Sequence, residues 1–452
     1  MAGGAQDDPV ARVTEALASR HPHVMLPDLT RITDLMDVLG SPQRAYPSIH
    51  LTGTNGKTTT ARIIDALLRA HGLRTGRYTS PHLQSFTERI CLDGKPIEPE
   101  RLAQVWDEIA DLVALVDARH PEQLTFFEVG TALAFAAFAD APVDVAVVEV
   151  GLGGAWDATN VLDGGVVVIS TVDLDHTDML GDDVAAIATE KAGLIHAGAT
   201  VISAAQEADA AEAIVDRVRE VDARLLAEGV HLAVVDRRVA VGGQLLTLQT
   251  PAATYEDILL PLHGEHQAHN ALLALAAVEV FLGGRALDGD VVAEAFADVD
   301  SPGRLEIVRT SPTVLLDGAH NPAGGRALAA ALEEAFDFRR LVGVVGVLAD
   351  KDARGLLAPI APYLDHIVVT QNDSPRALPV EELAEIAGEF FDDEAISVEP
   401  SLVDAIDRAV TEVDAGLGGV ENPERELAGS GVLVFGSLVT VGAARSLLKR
   451  GS

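Results

Sequence analysis

Residues 48–60 commit this part of the chain to one local architecture. A β-leaning entry, Ser48-Ile49-His50-Leu51, runs into Thr52-Gly53-Thr54-Asn55-Gly56-Lys57-Thr58-Thr59 and then into a helical run ending near Ala70. Strand, glycine loop and helix, in that order, leave backbone N–H groups at a helix start able to hold phosphate oxygens. In such a loop Lys57 reaches the outer phosphates, and Thr58 places a hydroxyl where the loop approaches magnesium. The pattern departs from G-x-x-x-x-G-K-[ST], because Leu51 stands at the first glycine position; Gly53-x-x-Gly56-Lys57-Thr58 remains. A Gly-Lys-Thr turn is common by itself. Its place after a strand is what makes it a nucleotide loop.

Short β-branched runs alternate with helical segments through much of the chain. Residues 74–80, 143–150, 166–170 and 199–203 read as strands, and 101–118, 129–139 and 184–194 as helices. Residues 1–10 read as a loose tail, and 11–40 carry helical spacing closed by Gly40. Strands joined by helices form a parallel sheet, whose ligands lie at the carboxyl ends of the strands. Gly56-Lys57, Ser80, Glu149 and His176 all fall at such ends.

Residues 226–262 change to short alternating strands around Gly242-Gly243, a small antiparallel meander. An alanine-rich helix over 264–282 follows, with His266 and Asn270 four apart on one face. Turn residues at 298–303 mark a domain boundary. Beyond it, strands at 314–317, 341–348, 366–370, 395–398 and 432–435 alternate with helices, and 413–430 reads as a loop.

A length of 452 residues exceeds one ordinary core, so two or three domains are expected. The formal charge of −36 argues against nucleic acid or an anionic membrane as partner. Anionic substrates would instead need a local positive field, and with five lysines against 28 arginines each lysine is informative. The single cysteine, Cys91, excludes an internal disulfide framework and multi-cysteine metal sites. No apolar run reaches the ~18 residues of a membrane span, and the start lacks the order of a signal peptide, so a cytoplasmic address is expected.

Glu149, closing an apolar strand, is costly unless it lies at a mouth or has a partner; it reads as a magnesium ligand or as a solvated strand end. His176 reads either as a loop histidine or as part of that constellation. Lys191 lies among apolar neighbours, where lysines usually snorkel to water, and the residues alone do not assign it. Arg304 is either a linker charge or a hinge-placed contact to a terminal phosphate. Asp317 and His320 flank Gly318 before a proline-started helix, so capping competes with function. Phe126, Phe127 and Trp156 fit core or ligand stack.

Together these segments resemble the folylpolyglutamate synthase/dihydrofolate synthase family of the Mur ligase superfamily. The matching words are the glycine loop, Thr79-Ser80-Pro81-His82-Leu83, Thr125-Phe126-Phe127-Glu128, Glu149-Val150-Gly151-Leu152-Gly153-Gly154, Asp157-Ala158-Thr159-Asn160, Leu174-Asp175-His176, Glu190-Lys191-Ala192-Gly193 and Asp317-Gly318-Ala319-His320-Asn321-Pro322. The resemblance implies an α/β chain of two domains. Residues 1–300 would be a P-loop-type parallel-sheet ATPase domain that binds ATP and folate and carries the meander; residues 301–452 would be a Rossmann-like domain that binds glutamate.

The activity implied is ATP-dependent ligation of L-glutamate to dihydropteroate, to reduced folates, or to both, with both expected. ATP would phosphorylate a carboxylate, and the amine of glutamate would attack the acyl phosphate. By similarity Gly53, Thr54, Asn55, Gly56, Lys57, Thr58 and Thr59, with Asn270, Arg304 and Asp317, bind the nucleotide. Ser80, Glu149, His176 and a carbamylated Lys191 serve two Mg2+ ions, and a monovalent cation is a further candidate. Lys57, Lys191 and His320 take catalytic roles, while Thr125, Phe127, Asp157 and Ala158 hold the pterin. A monomer is expected. Many bacterial relatives have a basic residue after Gly154, where this chain has Ala155 followed by Trp156 beside the pterin pocket. The nearest rivals are a cell-wall amino-acid ligase of the same superfamily, which usually carries a further domain before the loop, and a non-catalytic nucleotide-binding regulator.

Overall fold

Apolar strand β1 (Ser48–Thr52) is buried along its whole length and leads through the glycine loop into α3 (Lys57–Ala70). Two helices precede it, α1 (Pro9–Ala18) and α2 (Thr30–Val38). The structure, a computed structural model, describes residues 8–20, 27–415 and 429–450. The chain divides into two units, one of Met1–Arg238, Leu245–Pro261 and Ala268–Val299, the other of Val239–Gln244, Leu262–Gln267 and Asp300–Ser452.

In the first unit, α3 is followed by β2 (Thr75–Tyr78), β3 (Ile90–Leu92), β4 (Lys95–Pro96), α4 (Pro99–Asp117), α5 (Phe126–Asp140), β5 (Val145–Glu149) and β6 (Val166–Ile169). Then come α6 (Thr177–Leu180), α7 (Val184–Ala192), β7 (Thr200–Ser203), α8 (Ala208–Glu220) and β8 (Arg224–Ala227). Eight strands form one sheet in the order β4-β3-β2-β5-β1-β6-β7-β8. Its pairs are parallel from β2 to β8, and the short β3 and β4 turn antiparallel at one edge. The connection from β1 runs to β2 on one side, and that from β5 to β6 on the other. Such a reversal opens a crevice at the carboxyl ends of the strands.

One core cluster on this sheet gathers Tyr78, Phe135, Phe138 and Val148 with helices α1, α2, α4 and α5; another gathers Val167, Ile169 and Val201 with α7 and α8. A three-stranded meander follows, β9 (Ala233–Ala240), β10 (Gly243–Gln249) and β11 (Thr254–Leu260), in the order β11-β10-β9. Helices α9 (Glu265–Phe281) and α10 (Gly289–Ala297) come next.

The remaining strands are β12 (Glu306–Thr310), β13 (Thr313–Leu316), β14 (Arg340–Val345), β15 (His366–Val369), β16 (Ile396–Val398) and β17 (Ser430–Phe435). They form a six-stranded sheet ordered β12-β13-β17-β14-β15-β16, parallel except for the β12–β13 pair. The intervening helices are α11 (Pro322–Ala335), α12 (Ala353–Ile360), α13 (Val380–Ala387), α14 (Leu402–Ala415) and α15 (Leu438–Arg450). Leu315, Val345, Leu356, Ile367 and Phe435 centre the core of this unit.

Four expectations are corrected. The tail ends sooner, because Asp8 caps Val10 and Pro9 occupies the first helical position of α1. Thr125 and Glu128 form a capping box, so α5 begins at Phe126 rather than after the motif. β8 pairs with β7 in the parallel sheet, leaving the meander to start at Ala233. The loop expected over 413–430 is helical to Ala415, and 416–428 lie outside the described residues. Among the described residues no helix is long and apolar enough to cross a membrane.

Candidate active site

The loop between β1 and α3 requires its glycines. Gly53 and Gly56 have φ of +138° and +88°, the left-handed side that favours glycine. A Cβ on Gly53 would lie 1.9 Å from the Ser170 hydroxyl, and one on Gly56 would lie 2.3 Å from Asn270 Oδ1. The end of β6 pins the loop: Thr54 N–H donates to the Thr171 carbonyl at 2.8 Å, and the Ser170 hydroxyl to Asn55 O at 2.6 Å. The Lys57 amine folds back to the carbonyls of Gly53 (2.9 Å) and Thr54 (3.1 Å), and Thr59 is buried behind it.

Glu149, 1% exposed, closes β5 beside this loop. The Thr58 hydroxyl lies 3.0 and 2.9 Å from its two oxygens, and Ser80 N–H donates at 3.3 Å across a cis Ser80–Pro81 turn. A hydroxyl and a carboxylate are hard oxygen donors of the kind magnesium takes while keeping several waters. His176 opens α6 with a φ of +52°, its ring partly exposed and Nε2 3.9 Å from Asp175 Oδ1. Among the described residues no group of three or more His, Cys, Asp or Glu side chains is placed to hold a metal ion. The donor set therefore fits a cation bound mainly through Glu149, the Thr58 hydroxyl, water and phosphate.

Lys191 does not snorkel. It is 4% exposed on α7, and its amine donates to the Gly53 carbonyl at 3.0 Å. Burial, reinforced by repulsion from Lys57, pushes its pKa down to about 7. The next-door Glu190 accepts from the N–H groups of Gly154 (3.2 Å) and Trp156 (3.4 Å), tying the 151–156 loop to the same helix.

Asp157 organises that loop from within. Its carboxylate accepts from Gly151 N (3.1 Å), Leu152 N (3.0 Å) and Thr159 N (2.9 Å), while burial raises its pKa against these bonds. His50 of β1 meets Thr159 Oγ1 at 2.8 Å behind it, and Ala158 is buried in the following turn. Thr125 spends its hydroxyl capping α5. Phe127 covers Gly151, where a Cβ would lie 2.4 Å from its ring, and packs 5.9 Å from the Tyr78 ring. Trp156 is partly buried against the α7–α8 core.

In the second unit Asp317 directly follows β13 and accepts from Leu305 N (2.9 Å) and Ala319 N (2.8 Å). Burial raises its pKa, and the Arg304 charge opposes this. The Arg304 guanidinium donates to Gly303 O at 3.1 Å and lies against Gly318; His320 Nδ1 is 2.8 Å from Gly318 O. Arg304, Asp317 and His320 thus converge on one turn, while capping of α11 falls to Asn321. Sequence reasoning passed over Arg89 and named His82, His50 and Glu190 only within motifs, with no role of their own. The signal available for Arg89 was an arginine following Phe86 just before an apolar strand.

Residues 51–278 match the Mur ligase middle domain, and residues 303–438 the Mur ligase glutamate ligase domain. The chain is 51% identical to the dihydrofolate synthase/folylpolyglutamate synthase of Mycobacterium tuberculosis, over 97% of this chain and 94% of that protein. The structure of M. tuberculosis folylpolyglutamate synthase complexed with ADP matches with a TM-score of 0.93 and 52% identity, covering 97% of this chain and 98% of that one. Escherichia coli FolC in complex with DHPP and ADP matches with a TM-score of 0.84 and 30% identity, covering 100% of both chains. With the paired lysines on Gly53 and the Thr58–Glu149 contact at the carboxyl ends of its central strands, the chain belongs to the dihydrofolate synthase/folylpolyglutamate synthase family of Mur ligases.

Proposed function

We propose that this protein is an ATP-dependent ligase that adds L-glutamate to dihydropteroate and to tetrahydrofolates through an acyl phosphate. The observation that carries this reading is the meeting of Lys57, Thr58, Glu149 and Lys191 around the Gly53–Gly56 turn. A phosphate held by the backbone of that turn faces a lysine, a hydroxyl and a carboxylate able to hold a metal. Magnesium supplies charge compensation for the transferring phosphoryl group when bound.

The residues divide the work as follows. Gly53, Thr54, Asn55, Gly56, Thr58 and Thr59 cradle the triphosphate, and Lys57 steadies its outer charge. Asn270, Arg304 and Asp317 bind the nucleotide, and His320 acts on the transferred phosphate. Ser80, Glu149 and His176 serve the metal ions. Lys191 joins them as a carbamate, which converts a buried amine into an oxygen ligand; its burial and the neighbouring Lys57 charge favour the uncharged amine that reacts with carbon dioxide. Thr125, Phe127, Asp157 and Ala158 bound the pterin pocket. Residues 1–300 handle ATP and folate, and residues 301–452 handle glutamate. The protein acts as a cytoplasmic monomer with no nucleic-acid partner, and a monovalent cation is a further cofactor to assay.

Glutamate-dependent ADP release separates this reading from a nucleotide-binding regulator. With ATP, magnesium and dihydropteroate present, ADP release rises on adding L-glutamate. Release at one rate with and without glutamate would overturn the ligase reading.

A further inference from the structure

Among the described residues three arginines are more than nine-tenths buried: Arg31, Arg77 and Arg89. Two rest on carboxylates, Arg31 on Glu128 at 3.2 Å and Arg77 on Asp65 at 3.1 Å. Arg89, 9% exposed, differs. Its Nε–H donates to His82 Nδ1 at 2.8 Å, and its guanidinium lies over the rings of Phe86 (5.7 Å) and Phe126 (5.2 Å). Among the described residues no carboxylate forms an ion pair with it. A charge this deep is costly unless paired, and two aromatic faces with a ring nitrogen recover only part of that cost. In a chain of net charge −36, acidic partners are abundant, so the missing carboxylate is a feature of this position.

The surroundings indicate what completes it. Arg89 shares this pocket with Phe126, which adjoins Phe127 at the start of α5, and with Tyr78 at the end of β2, whose hydroxyl accepts a hydrogen bond from it; Tyr78 and then Glu149 favour its charge against burial. It therefore stands between the aromatic side of the site and the carboxylate beside the glycine loop. Its remaining guanidinium N–H groups form the planar fork that matches a carboxylate.

We propose that Arg89 binds the carboxylate of the acyl substrate, the group that ATP activates. This rests on the folate-ligase reading. With the aromatic end of the substrate toward Phe127, Arg89 holds the opposite, anionic end near Glu149 and offsets the repulsion between these two carboxylates.

The test compares two ligands by calorimetry on the full chain: pteroate, and the same molecule lacking its carboxylate. Wild type should prefer pteroate by about 10- to 100-fold, the range expected for charge-assisted hydrogen bonds. Arg89→Met should lose most of that preference while binding the decarboxylated ligand as wild type does. Arg89→Lys, which keeps the buried cation without the fork, should fall between them, and it carries the test alone if the methionine variant does not fold. An unchanged preference, or equal weakening of both ligands, would overturn the proposal and make Arg89 a structural residue. If wild type still releases ADP with dihydropteroate in that case, the ligase reading stands without it. If wild type binds neither ligand and shows no acceptor-dependent ADP release, the ligase reading itself fails and the proposal falls with it.

Discussion

Lys57 and Lys191 share one acceptor: their amines lie 2.9 and 3.0 Å from the carbonyl oxygen of Gly53. Two ammonium groups on a single carbonyl repel, and the buried member is the one destabilised as a cation. The first prediction concerns that member. Lys191→Ala should be inactive, and short carboxylic acids that replace a carbamate should restore part of its turnover. A fully active variant would show that the modification has no role.

Lys57→Ala should lower kcat by about 100-fold or more, the scale of removing one preorganised charge contact. Glu149→Gln should raise the magnesium concentration needed for half-maximal turnover, because Thr58 and Ser80 would then surround a neutral amide. Magnesium titrations of ADP release check both. A Glu149→Gln variant with wild-type magnesium demand would remove this carboxylate from the metal site.

Gly56→Ala places a methyl group 2.3 Å from Asn270 Oδ1 at a φ of +88°. The strain should cost about 1–3 kcal/mol of stability, and ATP affinity should fall with it. Denaturant unfolding and nucleotide titration measure the two effects; wild-type values in both would contradict the tight Gly56–Asn270 packing.

How far such contacts were legible beforehand depended on their sequence range. The strand ends bearing Ser80 and Glu149 were readable because β-branched runs stop at polar residues, and the glycine loop because its spacing is local. The approach of Thr58 to Glu149 spans 91 positions and follows only from β1 and β5 lying side by side, a pairing that no local pattern encodes. Lys191 was opaque for the same reason: only the folded chain brings α7 to Gly53. The start of α1 was placed late because it depends on Asp8 and Pro9 rather than on the apolar period that marks the rest of the helix. Arg89 was passed over because arginine is usually exposed, and its burial depends on Phe86 and Phe126 coming together.

Glu128 caps α5 and pairs with Arg31, both side chains being buried. Glu128→Ala should therefore cost about 3–5 kcal/mol, since it strands the Arg31 charge. Arg31→Met combined with Glu128→Leu should recover part of that loss. A single-variant cost below about 1 kcal/mol in urea unfolding would contradict a buried, coupled pair.

His50 is fully buried, and burial, with His196 nearby, pushes its pKa down to about 3. An unfolded histidine takes up a proton below about 6.5, whereas the folded one does so only near 3. Between these values the unfolded state binds more protons, so stability falls as pH falls through the window. His50→Gln should flatten that acid limb by one proton. Unfolding midpoints at pH 4–7 with the same slope in both proteins would show that His50 does not contribute.

The bifunctional ligase assignment is tested most directly by ADP release from the purified protein with ATP, magnesium and L-glutamate. Parallel reactions receive dihydropteroate or a tetrahydrofolate, and mass spectrometry reads the added glutamate. The expected result is ADP and a glutamylated product with each acceptor. Folded protein that binds ATP yet forms product with neither would contradict the assignment.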